Sequence, residues 1–213
     1  MHIFENENNK SNGSGDLVTA QLIDQLNYAV TTTEAVTLIQ ALASRRTSAA
    51  IAPLIQMLHH HHPAVSAAAV ESLVQLAPDT VEPLIKAFQF SKDHGLQASI
   101  VQALAQIGDA RALDLLIEVV GVEVANHCQG NVRRVAARGL GKIGRMSDSQ
   151  TRHRAIEKLT WALFNAADWA LRYAAVVSLQ EIATAEAIAA LQQAFTQELD
   201  KVVQIRIKTA LEN

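Results

Sequence analysis

Residues 126–131, Asn126-His127-Cys128-Gln129-Gly130-Asn131, place the chain's single cysteine beside a histidine. A thiol next to an imidazole combines a soft nucleophile with a group that titrates near neutrality. A lone cysteine is ordinarily a small buried hydrophobe, but the amides and the glycine around this one are poor core material and can fold tightly without adding charge. The residue types favour a reactive pair, with His127 and Cys128 as the candidate catalytic groups.

A second set of chemically useful residues follows at once. Arg134, Arg138, Lys142 and Arg145 recur at helical spacing, opposite the apolar stripe Val132, Val135, Ala136, Gly139, Leu140 and Ile143. From Arg133 to Lys158 there are eight basic residues against two acidic ones, in a chain of net charge -3. A solvated basic face is the plain explanation for such a stripe. Thirty-nine residues further on, however, Arg172 takes the place of Arg133 and Tyr173 that of Arg134, with Trp169 one turn earlier. Neighbouring helices lie roughly 10 Å apart, so guanidiniums and aromatic rings would share one surface beside the cysteine. That surface suits a flat conjugated ligand bearing carboxylates: Arg133, Arg134, Arg138 and Arg172 take the carboxylates, and Trp169 and Tyr173 stack on the rings. Asn126 and Asn131 flank the reactive pair as further candidate contacts.

The elements that must position these groups are helices. Hydrophobic residues make up 49% of the 213 positions and aromatics only 4%, a core of Ala, Leu, Val and Ile that suits close-packed helices. Two apolar patterns alternate along the chain. One runs Leu22, Leu54, Leu84, Leu116, Leu159, Leu191; the other runs Ile39, Leu73, Leu104, Leu140, Leu179, Leu211. Two helices per repeat cannot bury their own apolar faces and must stack. The spacing therefore predicts an all-α chain, an α-solenoid of about six HEAT-like two-helix repeats over residues 16–213, preceded by a flexible N-terminal tail at 1–15. Pro53 and Pro83 occupy equivalent places, and Gly108 and Gly144 are expected as helix caps. The fourth repeat departs from the rule: Leu116 to Leu140 spans 24 residues, against 19 or 20 for the corresponding leucines elsewhere. The extra residues fall in the turn that carries Cys128, and long turns on rigid scaffolds are where function tends to sit.

One cysteine excludes an internal disulfide, and the N-terminus lacks a basic region followed by an apolar segment. No run of about 18 apolar residues exists, so no membrane span is expected, and the chain reads as soluble in a reducing compartment. Its acidic balance argues against nucleic acid as a partner. His59 to His62 read as a solvated turn rather than a metal site, and a zinc site using His127, Cys128 and His153 lacks a fourth ligand. Val202, Val203, Ile205 and Ile207 spread over more than one face of the last helix, which predicts a covering partner.

From Asp109 through Gly144, including the run Val132 to Gly144, the sequence resembles the HEAT-like repeats of cyanobacterial phycobilin lyases of the E/F type. The hexapeptide is similar to the signature of F subunits in the phycoerythrocyanin α-chain phycoviolobilin lyase/isomerase group. The resemblance implies a heterodimer with a larger E subunit, which attaches phycocyanobilin to a cysteine of apo-phycoerythrocyanin α chain and isomerises it to phycoviolobilin. It ties His127 and Cys128 to the isomerisation, treats phycocyanobilin as the substrate with no cofactor besides, and implies a cytoplasmic, phycobilisome-associated protein. The alternatives are an F subunit that attaches the pigment unchanged, and a non-catalytic HEAT-like adaptor or phycobilisome-degradation factor.

Overall fold

The computed structural model describes residues 8–122 and 127–212, with side chains from Asp16 to Val122 and from Gly130 to Glu212. Twelve α-helices follow one another among the described residues: α1 (Asn8–Asn27), α2 (Thr32–Arg45), α3 (Ile51–Met57), α4 (Pro63–Gln75), α5 (Val81–Phe90), α6 (His94–Ile107), α7 (Leu113–Gly121), α8 (His127–Met146), α9 (Ser149–Asn165), α10 (Trp169–Ile182), α11 (Ala185–Phe195) and α12 (Lys201–Glu212). No strand occurs among the described residues. The class is all-α, an α-solenoid type built from six HEAT-like pairs, as the repeat spacing predicts.

Short polar residues start the helices. Thr31, Asp93, Asp148, Asp168 and Thr184 each accept a backbone N–H at the head of α2, α6, α9, α10 and α11, satisfying donors that a helix cannot satisfy itself. The repeat leucines form the core. Leu54, Leu84, Leu116 and Leu159, together with Ile39, Leu73, Leu104, Leu140 and Leu179, expose no surface, and each buried side chain contributes roughly 1.5–3 kcal/mol.

Residues 1–83 and 84–213 form two compact units. In the first, α2 packs on α1 and α4, and α3 packs on α4. In the second, α7, α9 and α11 lie side by side as one layer and α6, α8, α10 and α12 as the other, joined pair by pair across the layers.

Helix α8 is enclosed in the second unit, touching α6, α7, α9 and α10. Its glycines allow this. A Cβ at Gly139 would come within 2.7 Å of Ala105, one at Gly141 within 2.6 Å of Ser178 and one at Gly144 within 2.7 Å of Ile182. Gly144 is thus a packing residue inside α8 and not the cap expected from the sequence, whereas Gly108, at φ 72°, does cap α6. The buried stripe is also wider than expected: Arg133 and Ala137 join it, while Val132 and Val135 are half-buried, because α8 has neighbours on several sides.

Helix α1 begins at Asn8, so residues 8–15 of the expected tail form its first turns. Once the segment after Asp16 has nucleated a helix, each further turn adds hydrogen bonds at little cost. The histidine run lies between α3 and α4, where His62 accepts from the amide of Ala64 at the head of α4 and the rings of His60 and His61 stack with centroids 4.3 Å apart. Among the described residues no group of three or more His, Cys, Asp or Glu side chains gathers to hold a metal. None of the described helices is long and apolar enough to cross a membrane. In α12, Val203 and Ile207 are buried while Val202 and Ile205 are exposed, and Leu199 just before it is exposed as well.

Candidate functional site

The connection between α7 and α8 is held at both ends by cations. On the α7 side, the buried Arg133 donates from Nε to the carbonyl of Val120 at 2.9 Å. Lys158 presses on Gly121, where a Cβ would lie 2.7 Å from its Nζ, and its ammonium sits 3.9 Å from the centre of the Trp161 ring. Burial pulls the Arg133 pKa down, offset in part by the Asp168 carboxylate; burial, and then the charge of Arg133, lower that of Lys158. Both cations stand at the carbonyl end of α7, where positive charge is favourable.

On the α8 side, Arg134 and Asp168 form a two-pronged pair, Nε to Oδ2 at 2.9 Å and Nη2 to Oδ1 at 3.1 Å. Asp168 also caps α10 by accepting from the amide of Ala170 at 3.1 Å. Burial alone would push the Asp168 carboxyl up, but Arg134 and the amides of Ala170 and Leu171 hold it below the usual carboxylate range. Gly130 is buried against this pair: a Cβ there would lie 3.8 Å from Arg134 Nη2 and 4.0 Å from Asp168 Oδ2.

His127 and Cys128 belong to the first turn of α8, not to the turn before it as the sequence suggested. Part of the extra length is therefore helix: α8 has 20 residues against 14 for α10. Nothing from His127 onward in this turn is β-branched or proline, so the helix elongates back through it once the buried stripe has fixed α8. Asn126 lies outside the described residues, as do the side chains of His127 and Cys128.

Asn131 is exposed at one end of a groove of about 550 Å³ between α6, α8 and α10. Arg138, Lys142, Arg145 and Glu181 line it, three cations against one carboxylate, over a floor that includes Ala105, Val135 and Gly139. Arg138 donates to Ser178 Oγ at 3.2 Å and to Glu181 at 2.5 Å, both on α10. Lys142 reaches back to the carbonyl of Gln106 at the end of α6. An incoming carboxylate would meet Arg145 and Arg138, the latter by exchange with the half-exposed Glu181.

The single arginine–aromatic surface expected from the sequence is divided in the structure. Arg133 and Arg134 are engaged as described. Arg172 is turned inward, donating to the carbonyls of Ala166 and Ala167 and gripping Glu198 with Nε at 2.9 Å and Nη2 at 3.0 Å. Tyr173 faces α12 and lines a second groove of about 560 Å³ with Gln180, Val202, Ile205, Arg206 and Thr209. Only Trp169, exposed at the head of α10, stays next to the Arg134–Asp168 pair. The physical reason is register: each helix of the second layer presents one row to the preceding repeat and another to the following one, so equivalent positions on α8 and α10 line successive grooves. The zinc alternative also loses its third ligand. His153 sits in the first turns of α9 and pairs with Glu186 at 2.8 Å, while α8, about 30 Å of helix, separates that end from Cys128.

Asp168, Lys158 and Trp161 were missed by the sequence reading. Asp168 had a local signal, an aspartate directly before a helix; its second bond, to a helix 34 residues earlier, had none. Lys158 counted only as part of the local basic excess.

The comparisons with known proteins agree with this geometry. Residues 96–121 match the model of the PBS lyase HEAT-like repeat and residues 120–212 that of HEAT repeats. The chain is 59% identical over 197 residues to the bilin biosynthesis protein PecF of Mastigocladus laminosus, covering 90% of this chain and 93% of that one. It is 61% identical to PecF of Nostoc sp. over 163 residues, 76% of this chain and 94% of that one. The chain belongs to the E/F-type phycobilin lyase family. A solved relative, from the complex of CpcE and CpcF of phycocyanin lyase from Nostoc sp., superposes with a TM-score of 0.67 at 30% identity, covering 77% of this chain and 99% of that one. In this family member, then, a HEAT-like stack carries a basic groove that opens beside the first turn of α8.

Proposed function

We propose that the chain is the F subunit of a heterodimeric phycobilin lyase/isomerase, which with an E subunit joins phycocyanobilin to a cysteine of apo-phycoerythrocyanin α chain and converts it to phycoviolobilin. The carrying observation is the groove between α6, α8 and α10: it has room for a small organic ligand, presents three cations to one carboxylate, and ends on Asn131 of the hexapeptide. The higher identity to PecF, 59–61%, than to the phycocyanin lyase structure, 30%, favours the isomerising member of the family.

Attachment forms one C–S bond: the acceptor thiol adds across a pigment double bond, with its proton ending on the pigment and nothing leaving. Isomerisation then moves a double bond from the bridge between the first two rings into the first ring, so one carbon loses a proton and another gains one. His127 is the proton carrier. Cys128, in the first turn of a helix where the backbone favours thiolate, adds reversibly to the conjugated system and leaves after the double bond has moved. Arg138 and Arg145 hold pigment carboxylates in the groove, with Asn131 at its end, and Asn126, next to His127 in the sequence, is a further contact. Trp169 is exposed at the head of α10, and Tyr173 serves the neighbouring groove. The pigment enters as substrate and no other cofactor is invoked.

The E subunit and the acceptor are the protein partners. The exposed Leu199, Val202 and Ile205 at the last repeat are where a partner would cover the stack. The setting is the cytoplasm of a phycobilisome-bearing cell. Mixing the chain with an E subunit, phycocyanobilin and the apo α chain tests this reading. Covalent product with a blue-shifted band is expected, since isomerisation shortens the conjugation. An unshifted adduct would mark a lyase without isomerase activity, and no adduct would mark an adaptor.

A further inference from the structure

One contact of the site has no part in binding or chemistry as derived so far: the bridge from Asp168 to the helix that bears the hexapeptide. Asp168 makes three kinds of contact at once. It caps α10, it holds Arg134 by two hydrogen bonds, and its Oδ2 would lie 4.0 Å from a Cβ at Gly130, an ordinary van der Waals separation. Arg134 is one turn beyond Gly130, so the bridge fastens the second turn of α8 to the head of α10. On the opposite side, Arg133 is committed to Val120 and Lys158 to the end of α7. Arg133 and Lys158 thus hold the end of α7, while Arg134 and Asp168 tie the second turn of α8 to the head of α10.

We propose that Asp168 is a positioning residue for isomerisation: through Arg134 it fastens the early turns of α8, the helix that starts at His127, to the head of α10. The inference rests on the isomerase reading for its chemical consequence, but its physical content stands on the Arg134–Asp168–Gly130 geometry alone. A first turn that frays has its thiol and imidazole correctly placed for only a fraction of the time, so the double-bond shift slows in proportion. Attachment uses the acceptor's own thiol and needs the pigment held, not the first turn ordered. Loss of the bridge therefore separates the two reactions.

Asp168→Asn is the informative substitution, because asparagine caps a helix about as well as aspartate, which keeps α10 in place while removing the charge that holds Arg134. Amide hydrogen exchange of residues 127–134 reads the first turn directly. It should quicken about tenfold in Asp168→Asn and in Arg134→Ala, with the double variant no faster than either single one, as expected of residues acting as a unit. Unchanged exchange, or additive effects, would overturn the bridge. In reconstitution, Asp168→Asn should lower the ratio of shifted to unshifted adduct about tenfold while total attachment stays within about twofold. A parallel fall of both, or an unchanged ratio despite faster exchange, would overturn the positioning role. If the unsubstituted chain gives only unshifted adduct, the isomerase reading fails and the exchange result still decides the bridge. The chain's only cysteine gives a second physical readout: the pH dependence of Cys128 alkylation should shift in Asp168→Asn, whereas a purely structural cap on α10 would leave it where it was.

Discussion

The corner between α7 and α8 and the corner between α9 and α10 are the same device built twice, and they differ in one respect. In both, an arginine near the start of the later helix holds the carbonyl end of the earlier one: Arg133 on Val120, Arg172 on Ala166 and Ala167. The α9–α10 corner is three residues long, capped by its own Asp168 and locked by the half-buried Arg172–Glu198 pair. The α7–α8 corner is longer, its helix starts earlier, and it is fastened by Asp168 from the neighbouring corner. The short corner lends its Asp168 to Arg134 of α8, the helix on which the reactive pair is proposed.

The largest expected effect comes from breaking the short corner. Arg172→Ala leaves Glu198, whose side chain is 6% exposed, without its partner, and removing one member of a buried pair costs about 3 kcal/mol. Urea denaturation should show this as a lower midpoint at unchanged slope. A loss of pigment binding at full stability would instead restore Arg172 to the ligand site.

Next comes the close approach that seats α8. Gly139→Ala puts a Cβ 2.8 Å from the Ala105 backbone, an overpacking that should cost about 2 kcal/mol. Gly130→Ala, where the nearest atom is 3.8 Å away, should change the urea midpoint little, although the two glycines share one helix.

The groove itself is tested by Arg138→Ala, which should weaken phycocyanobilin binding about tenfold, equivalent to about 1.4 kcal/mol, with unchanged helicity by circular dichroism. Tighter or equal binding would move the pigment to the Tyr173 groove.

The smallest effect is on acid stability. Asp168 and Glu198 are both held below the ordinary carboxylate range, the pull of arginine and backbone amides outweighing burial. A carboxyl with a lowered folded pKa contributes its full stability above its unfolded value of about 4 and loses it as pH falls through the folded one. The urea midpoint should thus drop by roughly 0.5 M on acidification from about pH 5 to below pH 4, and by less in Asp168→Asn.

Much of this was legible in the sequence for a physical reason: apolar periodicity dictates which faces are buried whatever lies beyond them. Leu54, Leu104, Leu140 and Leu179 all fell where the pattern put them, and the 24-residue interval correctly marked the unusual corner. The fate of the charged residues was not legible. Arg133, Arg134, Arg138 and Arg172 are all engaged within the fold, yet of the four only Arg138, bonded to Ser178 and Glu181, lines the groove. The partners of Arg133, Arg134 and Arg172, a carbonyl 13 residues earlier and carboxylates 34 and 26 residues later, are set by how repeats stack. Gly144 shows the same limit, since a glycine near a helix end reads as a cap until the neighbouring helix is seen to press on it.

The central claim is that the first turn of α8 performs the isomerisation while the groove between α6, α8 and α10 holds the pigment. Reconstitution of Cys128→Ser with E subunit, phycocyanobilin and apo α chain, followed by absorbance, tests it most directly. The account predicts covalent adduct at near-normal yield with the unshifted band of phycocyanobilin. Blue-shifted product formed at close to the unsubstituted rate would contradict it.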